Sequence, residues 1–209
     1  VVDASNEWKA VKLLEGVGVD TVSMVGKGVR RANPATRQSF VIMDELHEKI
    51  ELEDFLKNLR GLTGEKALRL KRKLIRTVAA AARKMHQAGM NHRDFYLCHF
   101  HIEDRDWSNW TKGEAIRLPL LDLHRAQIRS AVPKRWLVKD LGALFFSAID
   151  CQITDRDLVA FLREYLGADW KQQIRAESKM WRGVRSRAHS FYKKHRGVDA
   201  KFPGNVGEW

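Results

Sequence analysis

Cysteine is scarce in this 209-residue chain, which contains only Cys98 and Cys151, without the CxxC spacing of a redox or zinc motif. This usage favours a reducing compartment, and we interpret both residues as ordinary half-buried thiols. Internal repeats and low-complexity segments are also missing. Because 44% of the residues are hydrophobic, the chain is expected to be globular and long enough to bury a substantial core.

Long apolar runs are absent as well. The densest run, residues 141–149, includes Gly142 and Ser147 and is far too short to cross a bilayer. No signal peptide is recognisable. The chain begins with Val1 rather than Met, so we expect a fragment or the ordered part of something longer.

Basic residues outnumber acidic ones by 38 to 26, giving a net charge of +12 and a predicted affinity for an anionic partner. Residues 171–196 carry nine of the basic residues and one acid, Glu177. This segment fits a helix with a solvated basic face opposite a core-facing stripe. It also fits docking on an anionic membrane leaflet. Nucleic acid is disfavoured because no motif that reads DNA or RNA occurs elsewhere. The proposed stripe consists of Trp181, Val184, Ala188, Phe191 and Tyr192.

Hydrophobic periodicity and turn residues predict an α+β chain with a helical carboxyl-terminal half. A loop is expected at residues 104–113 and a strand-and-loop section at 91–102. Helices are predicted at residues 5–16, 52–59, 65–89, 133–149, 154–165 and 169–192, and strands at 21–25, 39–43 and 116–123.

The strongest chemical signal is His92-Arg93-Asp94, which follows the long helix that Gly89 ends. A second aspartate, Asp122, follows an apolar run 28 positions later. Phosphoryl transfer needs one carboxylate beside the acceptor hydroxyl and another that holds Mg²⁺ against the nucleotide phosphates. The alternative is that both aspartates only form turns.

Asp140 lies on the apolar stripe of its predicted helix, between Leu137, Leu141 and Leu144. A carboxylate on a buried stripe is costly unless hydrogen-bond donors meet it. The residue is therefore predicted to accept hydrogen bonds from donors inside the fold. The alternative is a solvent-facing aspartate paired with a neighbouring cation.

Longer motifs surround these aspartates, and together they resemble the lipopolysaccharide core heptose(I) kinases of bacteria. The resemblance covers residues 5 to about 166. It is carried by NHRDFYLCHF at 91–100, DLHRAQIR at 122–129, VPKRW at 132–136 with KDL at 139–141, NEW at 6–8, and NPAT at 33–36 followed by SF at 39–40.

This resemblance implies a protein-kinase-like α+β fold that uses ATP and Mg²⁺. Residues 1–46 would form a partial N-lobe, 47–197 a helical C-lobe with the catalytic loop, and 198–209 a tail. By this resemblance, Asp94 would be the catalytic base, and Asp122 and His99 would be metal ligands. Glu7 would pair with a nucleotide-binding lysine, and the hinge that grips adenine would consist of Met43, Asp44, Glu45 and Leu46. The catalytic loop would be supported by His92, Arg93 and Asp140. Glu7 is alternatively an ordinary exposed helix residue.

Two features depart from protein kinases. His99 stands where those enzymes have a metal-binding Asn, and because Mg²⁺ prefers oxygen, a local hydrogen bond is the competing role. The chain has neither a Gly-rich phosphate loop nor a strand lysine before Glu7, nor a Walker A motif. In the resembled family the loop and the lysine belong to amino-terminal strands, which we expect to precede Val1.

Only 18 residues separate Asp122 from Asp140, which suits a small or glycan acceptor better than a peptide. The basic residues of this segment are predicted to contact phosphates or carboxylates of that acceptor: Arg125, Arg129, Lys134 and Arg135. For Arg125, internal ion pairing is an equal alternative.

The predicted function is ATP-dependent phosphorylation of a heptose in the lipopolysaccharide inner core, at the cytoplasmic face of the inner membrane of a Gram-negative bacterium. The predicted partners are the lipid-linked acceptor and the anionic membrane surface, with an acidic protein as a further candidate. Competing hypotheses are a kinase for another core sugar or for protein tyrosine, and a non-catalytic kinase-like binding module.

Overall fold

The computed structural model describes residues 4–31, 33, 36–47, 49–58, 64–103 and 117–201. Within them the chain alternates short strands and helices before a wholly helical end. The elements are α1 (Ala4–Gly16), β1 (Met24–Arg30), β2 (Gln38–Met43), β3 (Lys49–Glu51), α2 (Leu52–Asn58), α3 (Gly64–Gln87), β4 (Met90–Asn91), β5 (His101–Glu103), β6 (Gln127–Ile128), α4 (Lys134–Ala148), α5 (Asp155–Leu166), α6 (Trp170–Ala176) and α7 (Ser178–Arg196).

The amino-terminal part consists of α1 packed against an antiparallel β1–β2 hairpin. Helix α1 buries Ala10, Val11 and Leu14 in the core, which is the periodicity expected of an amphipathic helix. In the hairpin, Gly28 lies opposite Phe40, and a Cβ on Gly28 would meet the phenyl ring at 2.4 Å. Glycine is therefore required at this position for the ring to cross the strand.

The carboxyl-terminal half is a helical layer in which α3 packs on α5 and α4 packs on α7. The buried face of α3 includes Leu74, Val78, Ala82 and Met85, as its spacing predicts. The α4–α7 contact is close because Gly142 lies against the Arg187 side chain, where a Cβ would come within 2.9 Å. This layer forms the base on which the loops of the candidate site rest.

Short strand pairs connect the loops to that base. Strand β3 pairs with β5, β4 pairs with β6, and a single bridge joins Phe100 to Leu120. The segment before Asp122 is also tied to the end of α1, because Leu120 N–H donates to the Asp20 carbonyl and Thr21 Oγ1 donates to the Leu120 carbonyl. The position of Asp122 is thus set by contacts of Leu120 with Asp20 and Thr21 on one side and with Phe100 on the other.

The structure corrects several predicted elements. Of the predicted strand at 116–123, the described part, residues 117–123, contributes only the bridge at Leu120, because no other residue of this part pairs with a described strand. The predicted helix at 169–192 is two helices, because Glu177 (φ −109°, ψ 29°) leaves helical geometry between α6 and α7. The strand expected at 21–25 begins at Met24, and β3 had no prediction. The loop expected at 104–113 and most of the tail lie outside the described residues.

Candidate active site

The loop that carries Asp94 begins with a constrained turn. Gly89 ends the α3 region with a left-handed φ of 79°, and a Cβ there would lie 1.9 Å from the Arg129 carbonyl oxygen. That carbonyl must pass close because Arg129 N–H donates to the Gly89 carbonyl across the β4–β6 connection. Arg93 has a left-handed φ of 81°, which a side chain rarely adopts without external support.

Asp140 supplies that support. The residue is fully buried on α4, and its carboxylate accepts hydrogen bonds from the backbone N–H groups of His92 (2.7 Å) and Arg93 (2.9 Å). A buried carboxylate that receives two N–H donors satisfies both its own charge and the loop's backbone. The geometry is the one expected of an anchor for the catalytic loop, and Asp140 does not face solvent.

A further pair of residues, which the sequence did not single out, extends this anchor into the core. Nε2 of buried His86 lies 3.3 Å from the Asp140 carboxylate, and Nδ1 lies 2.8 Å from the Tyr165 hydroxyl. Because a carboxylate only accepts, Nε2 carries the proton and Nδ1 accepts from the hydroxyl. Burial raises the pKa of Tyr165, so the hydroxyl keeps its proton. Helices α3, α4 and α5 thus meet in one hydrogen-bonded chain.

His92 links the two loops of the site. Its Nε2 donates to the Leu121 carbonyl at 2.9 Å, one residue before Asp122. Burial lowers the pKa of His92, and its Nδ1 has no partner among the described residues, so the ring is neutral. The ring also stacks on His99, with 5.5 Å between centroids. His92 therefore supports both the catalytic loop and the Asp122 segment.

Asp122 projects from a left-handed backbone (φ 59°) at the start of a 3₁₀ turn, Leu123–Arg125. Its carboxylate contacts His124 Nδ1 and lies 3.5 Å from His99 Nε2. The turn is held from α1, because Asn6 Nδ2 donates to the carbonyls of His124 (3.0 Å) and Ala126 (2.8 Å). Neither Asn6 nor His124 was predicted to belong to the site.

The structure brings Asp94 and Asp122 together through His99. Its Nδ1 donates to the Asp94 carbonyl at 2.6 Å while Nε2 faces Asp122. The Nδ1 proton is fixed by that carbonyl, so in the neutral ring Nε2 is a bare acceptor. The Asp94 carboxylate itself accepts from Arg125 Nη1 at 2.9 Å, which is the internal ion pair considered for Arg125.

Glu7 lies on the same side of the site. Burial raises the pKa of this carboxyl, with smaller electrostatic effects from His124, which lowers it, and Asp122, which raises it. Among the described residues no cation lies within ion-pair distance of Glu7. It is half-buried and directed toward the Asp122 turn rather than being an ordinary exposed helix residue.

The predicted hinge follows strand β2. Met43, Asp44 and Glu45 are exposed, and Leu46 packs against the core. The Asp44 N–H donates to the Ser23 carbonyl at 3.0 Å, so this donor is already engaged within the hairpin. If residues 43–46 bind adenine as predicted, they would do so through backbone groups other than the Asp44 N–H.

The four basic residues predicted to bind the acceptor do not converge. Arg125 pairs with Asp94, whereas Lys134 donates to both carboxylate oxygens of Glu177 at 2.7 Å. Arg129 and Arg135 both lie beside the indole of Trp136.

Asp122 offers a partly exposed carboxylate suited to Mg²⁺, which keeps several waters and binds through one or two carboxylates plus substrate phosphates. In the described part of the chain, no three His, Cys, Asp or Glu side chains are grouped to hold a metal alone. The residues present therefore fit a metal that is shared with nucleotide phosphates.

A loop aspartate, a second aspartate at the start of a 3₁₀ turn, and a buried helix carboxylate that binds the backbone of the first loop define a phosphotransferase of the protein-kinase-like class. Comparison with known proteins identifies the family. A sequence model of the lipopolysaccharide kinase (Kdo/WaaP) family matches residues 1–165, and the chain belongs to this family.

Curated relatives from two bacterial species carry the name lipopolysaccharide core heptose(I) kinase WaaP. The one from Pseudomonas aeruginosa is 40% identical over 195 residues, which are 93% of this chain and 70% of the relative. One from Escherichia coli is 42% identical over 177 residues, 85% of this chain and 65% of the relative. The chain thus spans about two thirds of the length of these relatives.

A solved structure described as WaaP in complex with acyl carrier protein superposes with a TM-score of 0.77 at 39% identity, covering 90% of this chain and 76% of the other. The predictions of the family, the kinase-like α+β fold and a lipopolysaccharide kinase are therefore confirmed at the level of the family. In the described residues no helix is both long and apolar enough to traverse a bilayer.

Proposed function

We propose that this chain carries the catalytic centre of an ATP-dependent kinase that phosphorylates a heptose of the lipopolysaccharide inner core. The observation that carries the proposal is the convergence of Asp94 and Asp122 on His99, with distances of 2.6 Å to the Asp94 carbonyl and 3.5 Å to the Asp122 carboxylate. Two aspartates from separate backbone segments, connected through His99 and through the bond from Arg125 to the Asp94 carboxylate, match the needs of phosphoryl transfer.

Asp94 orients the acceptor hydroxyl and accepts its proton. The Arg125 guanidinium, 2.9 Å from the Asp94 carboxylate, holds that carboxylate in place and adds positive charge where the transferring phosphoryl group is negative. Asp140 fixes the loop through the N–H groups of His92 and Arg93, so the position of Asp94 is set by a buried helix rather than by a surface loop.

Mg²⁺, when bound with ATP, neutralises phosphate charge. Asp122 would hold the ion through its carboxylate, and the bare Nε2 of His99 is the second candidate ligand. Because an imidazole nitrogen is a poor Mg²⁺ ligand, His99 would contribute mainly by holding the loop of Asp94 through its Nδ1–H bond to the Asp94 carbonyl. Glu7, directed at the same turn, is the α1 carboxylate available to a nucleotide-binding lysine.

The test is phosphate transfer from ATP to core lipopolysaccharide by the protein and by its Asp94→Asn and Asp122→Asn variants. Both variants should lose transfer by at least about 10²-fold, the usual effect of removing a catalytic acid–base group, and should keep the melting temperature. Asp169→Asn, an exposed aspartate at the start of α6, is the matched control and should retain full activity. Full transfer by Asp94→Asn would refute the assignment, and transfer to peptide tyrosine or to another core sugar would redirect it.

We also propose that the protein works at the cytoplasmic face of the inner membrane and binds an acidic partner of the acyl carrier protein type. Helix α7 directs Trp181, Val184 and Ala188 into the core, so most of its basic residues form the opposite, solvent-facing side, whereas Arg187 packs against α4. Arg182 and Arg185 are exposed there. A carrier protein rich in carboxylates complements this face, as does an anionic leaflet.

An apolar cavity of about 310 Å³ lies beside these arginines, between α3, α4, α5 and α7. Its wall combines Leu74, Leu144, Phe161 and Trp181 with Arg182 and Arg185. A cavity of this kind accepts hydrocarbon, since apolar ligands favour dry apolar sites. An acyl chain delivered by the acidic partner is the occupant that matches both the lining and the charge at its edge.

Acyl-chain entry is tested by titrating the protein with carrier protein in its acylated and unacylated forms. The acylated form should bind at least tenfold more tightly, and Leu144→Gln, which places an amide in the cavity wall, should remove the difference. Equal affinity of the two carrier forms would contradict the proposal.

A further inference from the structure

Four cationic side chains surround one indole ring, next to the proposed reaction centre. Measured to the Trp136 ring centroid, the Lys139 ammonium lies at 4.2 Å, and the guanidinium carbons of Arg93, Arg129 and Arg135 lie at 5.4, 5.6 and 5.8 Å. Any two of these charges are therefore separated by no more than twice the largest distance. We refer to these four residues and Trp136 as the Trp136 cluster.

In the part of the chain that the structure describes, no carboxylate pairs with a cation of the cluster. Among the described residues, no aspartate or glutamate lies within ion-pair distance of any of its four cations, and Arg129 is bonded only to the neutral amides of Asn91 and Gln127. Arg93, Arg129 and Lys139 are only partly exposed, so water does not fully replace the missing counter-charge. Cations held together in this way repel one another, and an anion between them relieves that repulsion.

The cluster also has a surplus of hydrogen-bond donors. The indole N–H of Trp136 and the side-chain N–H group of Asn91 are buried and have no acceptor among the described residues. Helix α4, which starts at Lys134, has no acidic residue in its first turn and no side chain that caps it, so its N-terminal dipole adds positive potential. Excess donors and excess positive charge both require a ligand made of acceptors.

The place of the cluster relates it to the acceptor rather than to the nucleotide. Arg93 immediately precedes Asp94 in the chain. Arg125 bonds to the Asp94 carboxylate, and Arg129 lies four residues after Arg125. Lys134 is excluded, because Glu177 neutralises it. A group that contacts Arg93 would therefore lie close to the loop that carries Asp94.

We infer that the Trp136 cluster is a subsite for a phosphate or carboxylate group of the acceptor glycan, with Arg93, Arg129, Arg135 and Lys139 as its ligands. The inference rests on the proposed kinase function and makes it more specific, since it names the acceptor feature that is recognised. Multidentate arginine contacts suit the planar or tetrahedral oxyanions of such a group.

The first experiment measures binding of inorganic phosphate to the protein by isothermal titration, at constant ionic strength and with chloride as the reference anion. The variant is Arg135→Gln/Lys139→Gln, and the control is Lys66→Gln/Arg72→Gln, which removes the same charge from the exposed amino-terminal half of α3. The protein and the control should bind phosphate saturably, and the variant should bind about tenfold or more weakly. Equal phosphate affinity in variant and control would overturn the inference, as would the absence of saturable binding to the unmodified protein.

The second experiment distinguishes acceptor-borne groups from free phosphate. In transfer assays the variant should raise KM for core lipopolysaccharide about tenfold while KM for ATP and kcat stay within about twofold of the control. Phosphate should compete with the acceptor and not with ATP. Unchanged KM for the acceptor, in an enzyme that transfers phosphate, would refute the subsite and leave the kinase function intact. If the unmodified protein shows no transfer activity but binds phosphate, and only the variant loses that binding, the anion site would be supported and the kinase function refuted.

Discussion

Replacing Asp140 with alanine should destabilise the protein more than any other single change in the catalytic loop. The carboxylate is fully buried and accepts from two backbone N–H groups, at 2.7 and 2.9 Å, and lies 3.3 Å from His86 Nε2. Its removal leaves three donors with no acceptor, and an unsatisfied buried donor costs about 1–3 kcal/mol. Because some donors regain water in the opened loop, we expect Asp140→Ala to cost about 3–5 kcal/mol in the free energy of unfolding.

The measurement is urea unfolding followed by circular dichroism, with the melting temperature as a second readout. For a chain of this size, the expected cost corresponds to a fall of roughly 6–20 °C, taking about 2–4 °C per kcal/mol. Asp140→Asn, which keeps one acceptor oxygen, should fall between alanine and the unmodified protein. Asp54→Ala, an exposed aspartate on α2, is the control and should change stability by less than about 0.5 kcal/mol. A loss below about 1 kcal/mol for Asp140→Ala would refute the anchoring role.

Three further predictions follow from the same contacts. Gly89→Ala should destabilise the protein by roughly 1–3 kcal/mol in urea unfolding, because its Cβ would meet the Arg129 carbonyl at a left-handed φ; a neutral effect would contradict the close approach. Tyr165→Phe should cost about 1 kcal/mol by removing the donor to His86 Nδ1, and no loss would show that this bond is absent. Burial, together with Lys49 and His99, lowers the pKa of His101 from 6.5 to about 4, so its neutral form favours folding. The contribution of neutral His101 to the free energy of unfolding should therefore be complete above pH 6.5 and should fall progressively toward pH 4. His101→Gln should reduce the slope of the free energy of unfolding against pH in this range, and an unchanged slope would contradict the prediction.

Helices and their buried faces could be predicted because the stripe of α3 and that of α7 repeat at helical spacing. The end of α6 could not be predicted, since residues 169–192 keep their helical pattern through Glu177, where the backbone leaves helical geometry. The segment before Asp122 has strand composition, yet among the described residues it forms only one bridge, at Leu120, with separate hydrogen bonds to Asp20, His99 and His101 in place of a longer ladder. Periodicity reports local preference and carries no information on which partner a strand finds.

For the site, Asp94 and Asp122 could be predicted from the sequence because they lie within long motifs. Asp140 could be predicted because a charge on an apolar stripe requires hydrogen-bond donors. The residues that hold them were not. His86 and Tyr165 look like ordinary members of α3 and α5, and Asn6 like a helix cap, until the fold places them against Asp140 and the His124 turn. Likewise Lys134 and Arg135 are neighbours in sequence, but one pairs with Glu177 and the other joins the Trp136 cluster.

The most direct test of the account is mass spectrometry of core lipopolysaccharide, lacking its heptose phosphate, after incubation with ATP, Mg²⁺ and the protein. The account predicts the gain of one phosphate group, located by fragmentation on an inner-core heptose, and no gain with the Asp94→Asn variant. An acceptor that stays unmodified with the unmodified protein, or that gains the phosphate equally with Asp94→Asn, would contradict it.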